Sequence, residues 1–180
     1  HDNAAGSVTI LEMARYFAAH PAKRTLRFVW FGTEELGLKG SWDYIQRHAD
    51  EIKKHVFMVN VDVAGGIIGN NYVSVMASDK VCSYLDIKGK ERGIGLSVNQ
   101  SIYSGDCVPL AHKGVPSVTF ARGSGAPIHT HADTADDIDA VHLAMLGDFA
   151  LDFAVTAANA AAFPFPREIP ESIKRSTKEY

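Results

Sequence analysis

The sequence predicts an α/β domain with a largely parallel sheet and helices on both of its faces. Apolar runs of strand length alternate with stretches of helical periodicity along most of the chain, the pattern of a sheet covered by crossover helices. The runs over 26–31 and 56–63 are apolar almost throughout, as strands buried on both faces are. With 180 residues the chain is long enough for one domain with a substantial core.

Asp2 and Asn3 precede a helical pattern from about Ser7 to His20. Val8, Leu11, Ala14, Phe17 and Ala18 share one face there, and Pro21 ends it. Arg24 to Phe31 reads as a buried strand, Trp42 to His48 as a short helix, and Ala49 to Lys54 as a further turn. Val56 to Val63 is the next strand, apolar except for Asn60 and Asp62. A charge near the end of such a strand needs a reason. Tyr72 to Ala77 alternates like a strand, and Lys80 to Arg92 is helical and closed by Gly93. Leu96 to Ile102 is extended, Asp106 opens a short helix ending at Gly114, and Val115 to Ala121 is the last strand. A polar loop, Arg122 to Asp137, leads into an alanine-rich helix from about Ala140 to Ala161.

Eighteen Lys and Arg against twenty-one Asp and Glu leave a formal charge of -3. With no basic stripe and no stacking aromatics, a nucleic-acid partner is not expected. No apolar run is expected to span a bilayer. Cys82 and Cys107 are too few for a disulfide scaffold and lack metal-ligand spacing, so they read as ordinary thiols and leave the compartment open. His1 to Gly6 carry neither a start methionine nor a signal-peptide pattern, and the chain reads as a fragment or a processed product.

The chain is organised around Val29 to Ser41. Its apolar run stops at Gly32, and two adjacent carboxylates, Glu34 and Glu35, precede a glycine-punctuated turn. Neighbouring side chains at a strand end point in different directions, so one can reach a metal while the other faces what is bound to it. The mouth of an open α/β sheet is also where such folds place their chemistry. Taken alone, the pair is more often two solvated carboxylates opening a helix. Its weight comes from Asp2, Asp62 and the segment Ile128-His129-Thr130-His131-Ala132-Asp133-Thr134. Singly, Asp2 reads equally well as a helix N-cap, Asp62 as the partner of a buried lysine, and His129 as an exposed loop residue. Together they supply carboxylates and imidazole, the donor mixture that binds zinc and similar ions. One carboxylate is then spare to act on a metal-bound water.

Asp2-Asn3-Ala4-Ala5-Gly6, Phe31-Gly32-Thr33-Glu34-Glu35-Leu36-Gly37-Leu38-Lys39-Gly40-Ser41, Asn60-Val61-Asp62 and His129-Thr130-x-x-Asp133-Thr134 follow one another in that order. In these motifs the sequence resembles the co-catalytic zinc aminopeptidases, relatives of bacterial leucyl aminopeptidases and of glutamate carboxypeptidase. The resemblance runs from Asp2 to the C-terminal helix. It implies a three-layer α/β/α zinc-exopeptidase fold with a mixed, largely parallel sheet, here without its N-terminal strands. The catalytic domain would occupy 1–163, and 164–180 would form a proline-containing tail that packs loosely. Carried over residue by residue, the resemblance makes Asp2 the carboxylate bridging two zinc ions. Glu35 and His129 complete one site, Asp62 belongs to the other, and Glu34 is the general base. A cis peptide bond between Asp2 and Asn3 is implied as well.

The sequence departs from that pattern in three places. The family's remaining ligand is a histidine in a His-x-Asp motif upstream of the bridging aspartate, and His1, adjacent to Asp2, cannot be it. One metal site is therefore complete (Asp2, Glu35, His129) and the other is not (Asp2, Asp62). The full-length enzyme would hold two zinc ions, whereas these residues alone are expected to hold one or none and to hydrolyse little. Many members have an oxyanion-steadying tyrosine where this chain has Ile128, with Tyr103, Arg122 and His131 as candidate substitutes. The family's Ser-Asp-x-x-Pro-Phe reads Gly105-Asp106-Cys107-Val108-Pro109-Leu110, where Asp106 is equally an N-cap or a site residue. His131 is a weaker alternative to His129 as ligand, since the motif spacing favours His129.

The expected activity is that of a zinc-dependent exopeptidase with a peptide substrate. An aminopeptidase is favoured, removing N-terminal residues through a metal-bound water with Glu34 as base. A single-zinc glutaminyl cyclase and a non-catalytic binding module on the same scaffold are the alternatives. The preferred side chain and the oligomeric state are left open.

Overall fold

The computed structural model describes residues 1–123, 128–178 and 180. Four strands, β1 (Met58–Val61), β2 (Asn70–Met76), β3 (Leu96–Asn99) and β4 (Ser117–Gly123), form one sheet in the order β1-β4-β2-β3. β1 runs parallel to β4 and β2 parallel to β3, while β2 and β4 are antiparallel. The sheet is thus mixed with mostly parallel pairs, as expected. Val61 lies opposite Phe120, and the Asp62 N–H donates to the Phe120 carbonyl at 3.0 Å. The C-terminal ends of β1 and β4 therefore emerge side by side, and β2 starts at the same edge, with Asn70 opposite Gly123.

Strand alternation divides the core into two faces. Val61, Val73, Val75, Val118 and Phe120 pack with Ala5, Val81, Leu85, Leu146, Phe149 and Phe153. These come from α1 (Ala4–Ala19), α4 (Asp79–Glu91) and α6 (Ala140–Asn159). Phe120 is fully buried between the rings of Phe149 and Phe153, at 6.0 and 6.1 Å. Burying one such side chain contributes about 1.5–3 kcal/mol. On the opposite face Met76 packs with Leu38, Cys107, Val108, Ala111, Ile169 and Ile173. That layer is built by α2 (Lys39–Arg47), the short α3 (Ala49–Ile52), α5 (Cys107–His112) and α7 (Glu171–Ser176).

The strand expected over Arg24 to Phe31 is not there. The segment is irregular and joins no ladder among the described residues. Apolar character makes a strand only where a partner meets its backbone, and β1 pairs with β4 alone. The segment instead forms one wall of an apolar groove of about 760 Å³, with Val56 to Asn60 among the residues of the other wall. Arg24 anchors its start, donating from Nη1 to the carbonyls of Ala157, Ala158 and Ala160 near the end of α6.

The tail also departs from expectation. Phe165, Ile169 and Ile173 are buried, and the Phe165 ring stacks on Phe153 at 5.4 Å. An apolar residue every four positions outweighs the prolines around it. α6 does reach the length and hydropathy of a membrane-spanning helix, which the apolar runs alone did not suggest. It carries Asp148 and Asp152 and lays Leu146, Phe149, Ala150 and Phe153 into the core, as a core helix does.

Candidate metal centre

The site lies where β1 and β4 end. Asn3, not Asp2, caps α1: its Oδ1 accepts from the Gly6 N–H at 2.9 Å, and its Nδ2 donates to the Val61 carbonyl at 3.0 Å. Asp2 is thereby released from capping and held over the end of β1. Gly6 makes that closeness possible, because a Cβ there would lie 2.2 Å from the Val61 oxygen. The Asp2–Asn3 peptide bond is cis, as the motif implied.

Glu34 and Glu35 sit on a single 3-10 turn, Glu34–Leu36, rather than at a strand end. The loop carrying them closes where the Gly40 N–H donates to the Gly32 carbonyl at 3.2 Å. A Cβ on Gly40 would stand 2.4 Å from that same oxygen. Asp62 directly follows β1, and the Val63 carbonyl accepts from the Arg122 N–H at 2.9 Å. His129 lies in the loop after β4, of which residues 124–127 are outside the described residues. Thr33, Val63 and His129 have φ of 57°, 47° and 61°. Left-handed backbone is unusual for such side chains and gathers at functional sites. These three are at or beside candidate residues, whereas a fourth, Leu38 at 57°, opens α2.

His129 Nε2 stands 3.1 Å from Asp2 Oδ2 and 3.0 Å from Glu35 Oε1. The three groups each offer one donor atom, and all three atoms lie within 4.8 Å of one another. Two carboxylates and an imidazole form a donor set suited to zinc, with room left for a further ligand. More acid surrounds this trio. Burial, with the charges of Glu35, Asp106, Asp62 and Asp2, pushes Glu34 up to about 7. Burial and the charge of Asp2 push Asp62 up to about 6, opposed by the Tyr103 hydroxyl bonded to it. Asp106 is raised by burial and eased by Ser41. Among the described residues no lysine or arginine forms an ion pair with any of these acids. Asp106 Oδ1 is buried without a hydrogen-bond partner. Buried carboxylates that repel one another, one with an orphaned oxygen, fit a divalent cation as the missing counter-charge.

The structure thus gathers Asp2, Glu35 and His129, with Glu34 and Asp62 close enough to feel their charge. Asp106 begins α5 but makes no side-chain cap, and its carboxylate faces the acid cluster instead. Tyr103 turns to Asp62 and Tyr72. Arg122 is committed to structure, donating from Nε to the Gly66 carbonyl and from Nη1 to Asn71 Oδ1. His131 is exposed and outside the trio, and the His1 ring is buried with neither nitrogen bonded. The part of Asp133 was not foreseen, although its motif was: its carboxylate accepts from the first two main-chain nitrogens.

Residues 1–154 match the model of Peptidase family M28. Aminopeptidase YwaD of Bacillus subtilis (strain 168) is 30% identical over 99% of this chain and 40% of its own length. The crystal structure of BSAP, a zinc aminopeptidase from Bacillus subtilis, superposes with a TM-score of 0.77 at 28% identity, covering 94% of this chain and 45% of that one. A glutaminyl cyclase from an Acidobacteriales bacterium superposes with a TM-score of 0.64 at 20% identity over 83% of this chain, a likeness of fold alone. The chain spans less than half the length of the two Bacillus proteins.

Proposed function

Because the chain belongs to Peptidase family M28, we propose that it carries the general base and one complete metal site of a zinc-dependent aminopeptidase. The observation that bears most on this reading is the meeting of Asp2, Glu35 and His129, with Glu34 beside them. The aminopeptidase names of similar proteins support it. Asp2, Glu35 and His129 would hold the first ion, and Asp2 with Asp62 would offer donors to a second. Tight zinc sites generally use three or more protein ligands, so residues 1–180 hold at most one ion firmly.

When bound, zinc supplies Lewis acidity, lowering the pKa of water and polarising the scissile carbonyl. Glu34 is the residue that moves the proton. Burial, and then the neighbouring acids, bring it to about 7, near the working range in which a carboxylate can both take a proton and return it. It accepts one from the attacking water and delivers it to the departing amine. Tyr103 donates its hydroxyl to Asp62 and so fixes which carboxylate face is free.

The test is Glu34→Gln in the full-length gene product, read by zinc content and by hydrolysis of an aminoacyl anilide. Zinc should stay while turnover falls about a hundred- to ten-thousand-fold. Loss of zinc together with activity would make Glu34 a ligand instead. The ion count is tested on residues 1–180, where two firmly bound zinc ions would overturn it.

A further inference from the structure

Asp133 stands in the same motif as His129 but contributes no atom to the metal trio. Its carboxylate is turned the other way. Oδ1 accepts from the His1 nitrogen at 2.5 Å, and Oδ2 accepts from the Asp2 backbone N–H at 2.8 Å. Two consecutive main-chain nitrogens therefore hold both oxygens of one side chain, the arrangement by which successive backbone N–H groups bind an anion. The grip needs only N–H donors at these two positions, so an ammonium or a peptide nitrogen at His1 serves equally. The carboxylate is 10% exposed, which keeps water from competing for its lone pairs.

What the grip connects gives it a function. Asp133 lies four residues beyond His129 in a tight turn, where its own N–H donates to the Thr130 carbonyl at 3.2 Å. At the other end of the contact, 131 residues away in sequence, is the backbone of Asp2. His129 and Asp2 are the two donors separated by 3.1 Å, yet they lie far apart in the sequence. His129 also has a left-handed backbone, φ 61°, which the surroundings must hold in place. Asp133 thus joins the loop of His129 to the main chain at His1 and Asp2 by direct hydrogen bonds.

We propose that Asp133 is a positioning residue of the metal centre, setting the separation of His129 from Asp2 and through it the affinity for a divalent cation. The proposal rests on the metal-centre reading above. Partners outside the ligand set commonly change metal affinity about 10- to 100-fold when removed, and Asp133 acts on two ligands at once.

Asp133→Ala and Asp133→Asn test this, with zinc affinity measured by chelator competition. Amide hydrogen exchange at Asp2 in the metal-free protein and thermal unfolding serve as companion readouts. Asp133→Ala should bind zinc about 10- to 100-fold more weakly, exchange the Asp2 amide faster and keep nearly the parent unfolding temperature. Asp133→Asn should fall between, since its amide oxygen still accepts one N–H while its amide nitrogen faces the other donor. Unchanged zinc affinity in Asp133→Ala, or unchanged protection at Asp2, would overturn the proposal while leaving the metal centre standing. A parent protein that takes no zinc would overturn the metal centre itself, and the positioning role with it. Affinity losses matched in both variants by a large fall in unfolding temperature would show a general structural role, which also overturns it.

Discussion

Replacing Gly6 by alanine tests whether Asp2 is held in place by the close packing of α1 on β1. A Cβ at Gly6 would lie 2.2 Å from the Val61 carbonyl oxygen and 2.4 Å from Asn3 Oδ1. That falls short of comfortable contact by about 1 Å. Neither neighbour can retreat easily. Val61 is locked in the ladder opposite Phe120, and the Asn3 side chain is bonded at both of its ends. Overpacking of this kind costs about 1–3 kcal/mol, and the better helix propensity of alanine offsets at most about 1 kcal/mol. For a chain of this size about 1 kcal/mol corresponds to about 2–4 °C, so Gly6→Ala should unfold several degrees lower. The larger effect should fall on function. The start of α1 carries Asp2, and a displacement of about 1 Å can cost about a hundredfold in rate. Gly95→Ala is the control, because a Cβ there meets nothing within 4 Å. Thermal unfolding, zinc titration and anilide hydrolysis should separate the two variants. If Gly6→Ala unfolds with the parent and binds zinc as well, Asp2 is not held by this packing.

Three further outcomes are expected. Glu34, at about 7, and Asp62, at about 6, keep protons in the folded state that the unfolded chain has lost. The metal-free protein should therefore lose stability as pH rises from about 4 to 7; Glu34→Gln should flatten that slope in unfolding scans with chelator, and an equal slope would refute the assignment. Arg24→Ala removes a charged donor from three carbonyls at the end of α6 and should destabilise by about 1.5–3 kcal/mol. Urea unfolding measures this, and Arg24→Lys should restore part of it. Tyr103→Phe removes the hydroxyl that lowers Asp62, so NMR titration of the metal-free protein should find Asp62 titrating higher than in the parent; an unmoved midpoint would exclude the bond.

The parts of the fold legible in the sequence are those decided by local pattern. Helical spacing located α1, α4 and α6, and the apolar runs located β1 and β4 to within a few residues. The segment 24–31 was misread because its composition is that of a buried strand, while strand formation depends on a partner elsewhere in the chain. The tail was misread for the opposite reason. Its prolines announce a loop, but Phe165, Ile169 and Ile173 find a place in the core that only the folded protein reveals. At the site, chemical type was legible and anchoring was not. Donor chemistry marked Asp2, Glu35 and His129 as candidates, and the family resemblance implied that they belong together. Which of Asp2 and Asn3 caps α1, and what Asp133 binds, depends on contacts that span the fold.

Each motif pairs a group that bears chemistry with residues that hold it against its own tendencies. Asn3 and Gly6 fix Asp2 on β1, and the Gly32–Gly40 closure holds the turn of Glu34 and Glu35. Tyr103 restrains Asp62, and Asp133 restrains the loop of His129. That much anchoring has an electrostatic reason. Asp2, Glu34, Glu35, Asp62 and Asp106 crowd together and, among the described residues, pair with no lysine or arginine; burial first, and then their mutual repulsion, raises Glu34 and Asp62. Left to themselves these carboxylates would move apart into water. The fold holds them together by hydrogen bonds and close backbone contacts, and a divalent cation would reverse the sign of the interaction. Metal binding should then stabilise the same segments that are weakest without it: the head of α1, the 32–40 loop and the turn of His129.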